Sequence, residues 1–472
     1  MCFMLIGGKN VFENGKMMGG HNDDLNGYEA ASLEIYPHTF HKPGESVQLP
    51  TGPIVPQPPE TARCLLLKTF RGNLAGDTIA INEHKVCLMG GENLLVDRND
   101  RATQADPLVE NGVAGGIRFV ALTQSRTARE CVERIGRYYT EFGNRFPCAV
   151  GVFDENESWY IESGGGSAWL AVRVPDDCYL IQSNGYRINE IDWDDTENVI
   201  YSEGLKEFVI EKGLWNPENG PFNWARAFGR KFLEDPSTYY YNSRRVWSAI
   251  HLLSPSADLD PDREEYPTFM KPDQPITREK IMEVLRDYNS NNSFCAFSSS
   301  GVDSGVRPIG VPHCIHSAVA ELSSRLPVET GGILWSCLGS PLTAPYLPHH
   351  YGITEITPAL EEGTDTYSDT SAFWQFRMLT NLAMNDFYHY SPIIMQEWQK
   401  LEQRTFSLLE SVEQETSRYW DSDPEKAREL LTAFAASTDY EALCTADMLK
   451  GRLHREIAGN LYKYFAKGSL EW

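Results

Sequence analysis

Residues 2–6 form a short apolar run of β-prone type, closed by Gly7 and Gly8. Asn14-Gly15 is a turn dipeptide, and residues 16–20 lead into Gly20-His21-Asn22-Asp23-Asp24. The pattern predicts an opening hairpin with the N-terminus tucked into a sheet. Residues 42–60 carry six prolines and read as an irregular surface crossing. Residues 64–70 and 78–89 read as further strands, with Asn82 inside the second. The clearest helix spans residues 127–143. Thr127 and Glu130 match a capping box, and Ala128, Cys131, Val132, Ile135, Tyr138 and Phe142 make one apolar stripe. Gly143 stands where a C-cap belongs. Strand signals resume at 149–153, 159–162, 169–174 and 179–182, separated by Asn156, Gly164-Gly165-Gly166 and Pro175-Asp176-Asp177. Residues 222–233 read as a second amphipathic helix. After Thr366 the pattern turns helical: Ile394, Trp398, Leu401, Leu408 and Val412 share a face, and Asp423-Pro424 opens another helix through Phe434. Strands, a helix, more strands and late helices point to an α+β layered domain, antiparallel sheets covered by helices.

Composition narrows the function classes. The chain has 472 residues and a formal charge of -24, from 66 acidic against 42 basic residues. Such a surface repels phosphate backbones, so nucleic acid is not an expected partner. The apolar run at 3–6 is far too short for a signal sequence, and no later segment reaches a membrane-spanning length. A cytoplasmic protein with no membrane partner is expected. The ten cysteines include no Cys-x-x-Cys pair and read as thiols in a reducing compartment. His313, Cys314 and His316 crowd together but lack a second cluster at zinc-site spacing, so a packed loop or helix start is the expectation there and no metal.

Cys2 is the most informative residue. Loss of Met1 would expose a thiol and a free α-amine on one residue. An α-amine titrates near ~7.7–8.0, close enough to neutrality to take a proton, so the nucleophile would carry its own base. On Met-Cys alone, a small hydrophobe starting a strand explains the residue better.

The remainder of the chain shifts the balance. A strand, glycines, a turn and Asn22-Asp23-Asp24 resemble the opening of N-terminal-nucleophile (Ntn) hydrolases. More closely, the chain resembles the bacterial dipeptidase A/D-type family of cysteine peptidases, related to penicillin V acylase and bile-salt hydrolase. The resembling stretches include Cys2-Phe-Met-Leu-Ile-Gly, His21-Asn-Asp-Asp24, Ile81-Asn-Glu-His-Lys-Val86, Glu157-Ser-Trp-Tyr-Ile-Glu162 and the run 169–177. Asn184, Ser243-Arg-Arg-Val-Trp247 and Gly332-Ile-Leu-Trp335 continue it in the same order, over about three-quarters of the chain. The resemblance implies a four-layer αββα sandwich of two stacked antiparallel sheets, spanning residues 1–365. A helical extension over 366–472 would pack on the same domain. It also implies that Cys2 attacks an amide carbonyl, forms a thioester and is released by water, with no cofactor needed.

By the same resemblance Asp24 would hold the Cys2 ammonium, and Asn82 and Asn184 would face the oxyanion. Arg245 would anchor the charge network, with Arg244 a rival for that role. Tyr239 to Tyr241, Trp159, Tyr160 and Trp247 are candidates for either a cleft lining or the core. His21 departs from the pattern: the family usually carries arginine there, with five donors and a fixed charge, whereas histidine has at most two donors. The expected substrate is a small peptide or amide, and the sequence leaves a homo-oligomer open. Two rivals stand beside a dipeptidase. One keeps the nucleophile and acts as an acyltransferase, amide ligase or N-acyl amidase. The other is a catalytically silent secernin-like binding protein, which His21 keeps in view. A chain that keeps Met1 has its Cys2 nitrogen in an amide, which cannot act as a base.

Overall fold

The computed structural model describes residues 2–69, 78–230, 236–290, 293–295, 297–298, 301–302 and 307–466. Its principal strands are β1 (Cys2–Gly7), β2 (Lys16–Asp24), β3 (Ala31–Tyr36), β4 (Cys64–Thr69), β5 (Thr78–Asn82), β6 (Cys87–Asn93) and β7 (Cys148–Phe153). They continue with β8 (Ser158–Ser163), β9 (Trp169–Arg173), β10 (Tyr179–Gln182), β11 (Val199–Tyr201), β12 (Cys314–Ser323), β13 (Gly332–Leu338) and β14 (Leu347–His350). Two large sheets result: a six-stranded one in the order β10-β1-β2-β12-β13-β14, and an eight-stranded one in the order β11-β9-β8-β7-β6-β5-β4-β3. Neighbours pair antiparallel throughout. The longer helices are α1 (Gly116–Thr123), α2 (Ala128–Phe142), α3 (Pro236–Leu253), α4 (Arg278–Leu285), α5 (Ala372–Ala383), α6 (Phe387–Trp420) and α7 (Pro424–Ala466).

The period-two alternation of strands assigns each sheet two faces. In the eight-stranded sheet, Leu65, Leu67, Ile79, Ile81, Met89 and Phe153 share a core with Met4 and Ile6 of β1. The intervening Leu66, Ala80, Leu88, Val150, Val152 and Trp159 instead share a core with Ile117, Val120, Val132 and Ile135 of α1 and α2. One face therefore meets the other sheet and one meets helices. Two adjacent glycines in β2 show how close the layers lie. A methyl on Gly19 would sit 2.8 Å from the Phe153 ring, and one on Gly20 would sit 2.3 Å from Ile281 of α4. Side chains at either position would force sheet from sheet or helix from sheet.

The late helices cover the six-stranded sheet. Trp398 of α6 packs edge-on to Phe376 of α5, ring centroids 5.8 Å apart, and its Nε1 donates to Thr343 O at 2.9 Å. Asp439 of α7 lies 3.1 Å from His349 Nε2 in β14 and accepts from Thr357 Oγ1 at 2.6 Å. Arg286 grips Glu402 of α6 through both guanidinium nitrogens, at 3.0 and 2.6 Å.

Several expectations need correction. The run 78–89 is not one strand: it folds at Asn82, through Lys85 at φ +57, into the β5–β6 hairpin. Helix 222–233 shrinks to Trp224–Phe228, and residues 231–233 lie outside the described set, as does Phe70. Residues 42–60 contain a short hairpin, Ser46–Gln48 with Ile54–Pro56. The buried stripe of α6 uses Leu409, while Leu408 is exposed; α7 runs on to Ala466. Cys314 and His316 open the long strand β12, not a loop or helix. Thr127 caps α2 by accepting from Glu130 N, but the Glu130 carboxylate accepts from Arg126 N, so the capping box is not reciprocal. Among the described residues no helix is long and apolar enough to cross a membrane.

Candidate active site

Three adjacent strands assemble the site by register. Cys2 of β1 stands opposite Asp23 of β2, and Asp23 stands opposite His316 of β12, beside an irregularity between Cys314 and His316. His21 lies two residues back, opposite Met4 and Ala318. Met4 points at the second sheet, since a methyl on Gly151 would lie 2.7 Å from its Sδ. By alternation Cys2, His21 and Asp23 share that inward face. The Cys2 thiol donates to Asp23 Oδ1 at 3.3 Å. Asp23 Oδ2 accepts from Thr69 Oγ1 of the opposite sheet at 3.2 Å and lies 3.2 Å from His316 Nε2. His21 and His316 stack obliquely, 6.2 Å between centroids. All of these groups are buried. Burial by itself would raise the Asp23 pKa, but its interactions with His316, and the charge of His21, outweigh it and hold the carboxyl well below the usual carboxylate range.

The Cys2 main chain is held as firmly as its thiol. Its nitrogen donates to Asn184 Oδ1 at 2.9 Å, and its carbonyl accepts from Arg245 Nη1 at 2.7 Å. Arg245, on α3, also donates to Ser183 O at 2.7 Å, Asn184 Oδ1 at 3.1 Å, Asn242 Oδ1 at 2.9 Å and Tyr241 O at 3.3 Å. It is fully buried; that burial, with the nearby charge of Arg307, brings its pKa down to about 9. Asn184 takes the left-handed backbone, φ +68, a conformation asparagine tolerates better than most residues.

The segment that presents Asn184 is clamped by two buried carboxyl groups. Asp97 Oδ2 accepts from Tyr186 N at 2.8 Å, and Glu162 accepts from Arg187 N at 2.6 Å and Ile188 N at 3.4 Å. Gln182 Nε2 donates to Gly185 O at 3.1 Å and to the Tyr160 hydroxyl. Burial pushes the Asp97 and Glu162 carboxyls each up to about 7 against these hydrogen bonds.

Beside Cys2 lies a cavity of about 330 Å³ whose lining includes Leu25, Asn93, Val96, Ala114, Arg118 and Phe146. Asn93 Oδ1 accepts from Leu95 N at 2.8 Å, and Asn184 Nδ2 donates to Asn93 O at 3.3 Å.

The residues singled out in the sequence fall into two groups. Cys2, Asn184 and Arg245 are joined directly. His21 is on the inward face, one residue pair from Cys2. Asp24 is on the opposite face of β2, where its Oδ2 accepts from Arg307 Nη2 at 2.5 Å; the carboxylate bonded to the thiol is Asp23. The structure does not bring Asn82 to the thiol. Its backbone N–H donates to Val86 O at 2.9 Å, and its Nδ2 donates to Leu122 O and Ser125 O. Its Oδ1 accepts from His84 N and Val86 N, so it is spent on the β5–β6 turn and the end of α1. Arg244 turns away to Asp262, at 2.8 Å, and stacks on Tyr240 and Phe294. Trp159, Tyr160 and Trp247 are core residues, and the Tyr239 side chain lies outside the described set. Asp23, Asn93, Arg307 and His316 were not assigned to the site from the sequence. The alternation of His21, Asp23 and Cys2 in a two-strand register could have found Asp23; the others converge only through long-range pairing.

The chain belongs to peptidase family C69, whose model matches residues 1–400. That family membership makes it a peptidase-type hydrolase with peptide substrates. Among its relatives, a probable dipeptidase of Latilactobacillus sakei is 27% identical over 380 residues, covering 79% of each chain. A probable dipeptidase of Salmonella dublin is 27% identical over 368 residues, 77% of this chain and 83% of the relative. Probable dipeptidase B of Streptococcus pyogenes serotype M1 is 25% identical over 443 residues, 91% and 87% respectively.

Proposed function

We propose that the protein is an N-terminal-cysteine dipeptidase of Ntn-hydrolase type, its facing sheets and outer helices being the four-layer αββα arrangement. The observation that carries this reading is the environment of one residue. The Cys2 nitrogen donates to Asn184 Oδ1, its carbonyl is fixed by Arg245, and its side chain borders a ligand-sized cavity. Once Met1 is removed, that nitrogen is an α-amine with one N–H committed to Asn184, held beside the thiol of the same residue. The amine takes the thiol proton, and the thiolate forms a C–S bond to the peptide carbonyl carbon. Negative charge develops on the carbonyl oxygen, and the donors we assign to it are Asn93, which lines the cavity, and Asn184, whose Nδ2 reaches the Asn93 carbonyl. The ammonium then protonates the leaving amine as the C–N bond breaks, and water hydrolyses the thioester.

Asp24 takes a different part from the one first expected. Through Arg307 it supplies negative charge near Arg245, balancing two buried guanidinium groups. Ten cysteines without a disulfide support a reducing compartment, and we assign the protein to the cytoplasm. Hydrolysis of a dipeptide panel by wild type and Cys2→Ala, with products read by mass, tests the reading. Loss of at least ~10³-fold in rate is expected for the variant; retained hydrolysis by Cys2→Ala refutes it.

A further inference from the structure

The cavity beside Cys2 has a chemical character that the dipeptidase reading does not specify. Four of its lining side chains are Leu25, Val96, Ala114 and Phe146. Val96 and Phe146 are 43% and 41% exposed, large apolar groups left facing the opening instead of the core. The cavity's charged side chain is Arg118, which is buried and donates to Gly90 O at 3.1 Å and Gly115 O at 3.1 Å. No carboxylate lines the cavity among the described residues. An ammonium side chain entering here would lose water and meet the Arg118 guanidinium without gaining an opposite charge. The volume of about 330 Å³ is at the lower end of ligand pockets, roughly 300–1,000 Å³, which suits one amino-acid side chain.

Cys2 itself lines this space, so a group covalently attached to its Sγ occupies it. We propose, resting on the reading of Cys2 as nucleophile, that the cavity receives the side chain of the acyl residue. The enzyme accordingly selects dipeptides with a bulky, uncharged apolar residue at the N-terminal position. Specificity then resides in Leu25, Val96, Ala114 and Phe146, while the catalytic groups are indifferent to the side chain. The same cavity disfavours substrates whose first residue is lysine.

The test measures kcat/KM for X–Ala dipeptides with X as Gly, Ala, Leu, Phe, Asp and Lys. Wild type is expected to favour Leu–Ala and Phe–Ala over Gly–Ala by roughly 10–200-fold, with Lys–Ala no better than Gly–Ala. Phe146→Ala, which removes a half-exposed ring, should lower the Phe–Ala to Gly–Ala ratio at least about fivefold. Ala114→Leu, which fills part of the cavity, should penalise Phe–Ala more than Ala–Ala. Labelling of Cys2 by a thiol-directed electrophile in each variant reports that the site is formed. A flat or charge-favouring wild-type ranking, or ratios unmoved by both variants while Cys2→Ala remains inactive, overturns the pocket assignment alone. Hydrolysis by Cys2→Ala at the wild-type rate overturns the nucleophile, and the pocket assignment falls with it.

Discussion

Arg245 allows a quantitative prediction. Replacing it with methionine keeps the approximate volume and removes five hydrogen bonds, to the carbonyls of Cys2, Ser183 and Tyr241 and the side chains of Asn184 and Asn242. At ~1.5–3 kcal/mol for a bond from a charged donor, the gross loss is about 7–15 kcal/mol. Against it stand the desolvation of a fully buried guanidinium, several kcal/mol, and its repulsion by Arg307. The bonds win by about 3–5 kcal/mol, because the orphaned acceptors around Cys2 are themselves buried. Urea unfolding of Arg245→Met should show that loss. Because the Cys2 carbonyl is released, kcat should fall about 10²-fold in the fraction that remains folded, the scale of an ångström-sized misplacement. Arg245→Lys, a point charge with one terminal nitrogen, should fall between the two. A methionine variant with wild-type midpoint and kcat refutes the argument, since the hydrogen bonds would then carry no net weight.

Other consequences are open to measurement. Asn184→Gly and Asn184→Ala should both lose about 10²–10³ in kcat. Urea midpoints should place the glycine variant about 1–2 kcal/mol above the alanine one, because φ is +68 there. Glu162 has a pKa raised from the ordinary glutamate range to about 7 by burial, so the fold binds its proton more tightly than the unfolded chain does. Its contribution to stability is therefore full below about pH 4.5 and is lost as pH rises to about 7. Glu162→Gln should gain on wild type by about 2–4 kcal/mol between pH 4.5 and 8 in urea midpoints, and a pH-independent difference would contradict this. Asp23 has the opposite sign, its pKa depressed chiefly by His316 against the cost of burial. The stability gap between wild type and Asp23→Asn should shrink as pH falls below about 4, read from acid unfolding, and a gap that widens there would contradict this.

Legibility in the sequence followed the range of the interactions involved. The short apolar, β-prone runs of β1, β7, β8, β9 and β10 and the capped stripe of α2 were readable because local pattern and burial agree there. The run 78–89 misled because two apolar stretches, 79–81 and 86–89, flank a short polar turn that Asn82 closes with its own side chain. That same saturation commits the Asn82 side chain to the turn and the end of α1, although its position in a strand-like stretch marked it as unusual. Helix 222–233 stops early at Gly229, whose backbone turns extended at φ -87 and ψ 166 while its N–H caps Ala225 O, a break that apolar periodicity does not register. Cys2 was legible because its chemistry is local, thiol and amine on one residue. Arg245 and Asn184 followed from resemblance. Asp23, Asn93, Arg307 and His316 depend on which strands become neighbours, 283 residues apart in the case of Asp24 and Arg307.

The central claim concerns the first residue of the working enzyme, and the intact mass of active protein challenged with a slowly hydrolysed dipeptide ester tests it. The account predicts a chain beginning at Cys2, a single acyl adduct on that residue, and no turnover by any fraction retaining Met1. Full turnover by protein that still carries Met1, with no adduct at Cys2, would contradict it.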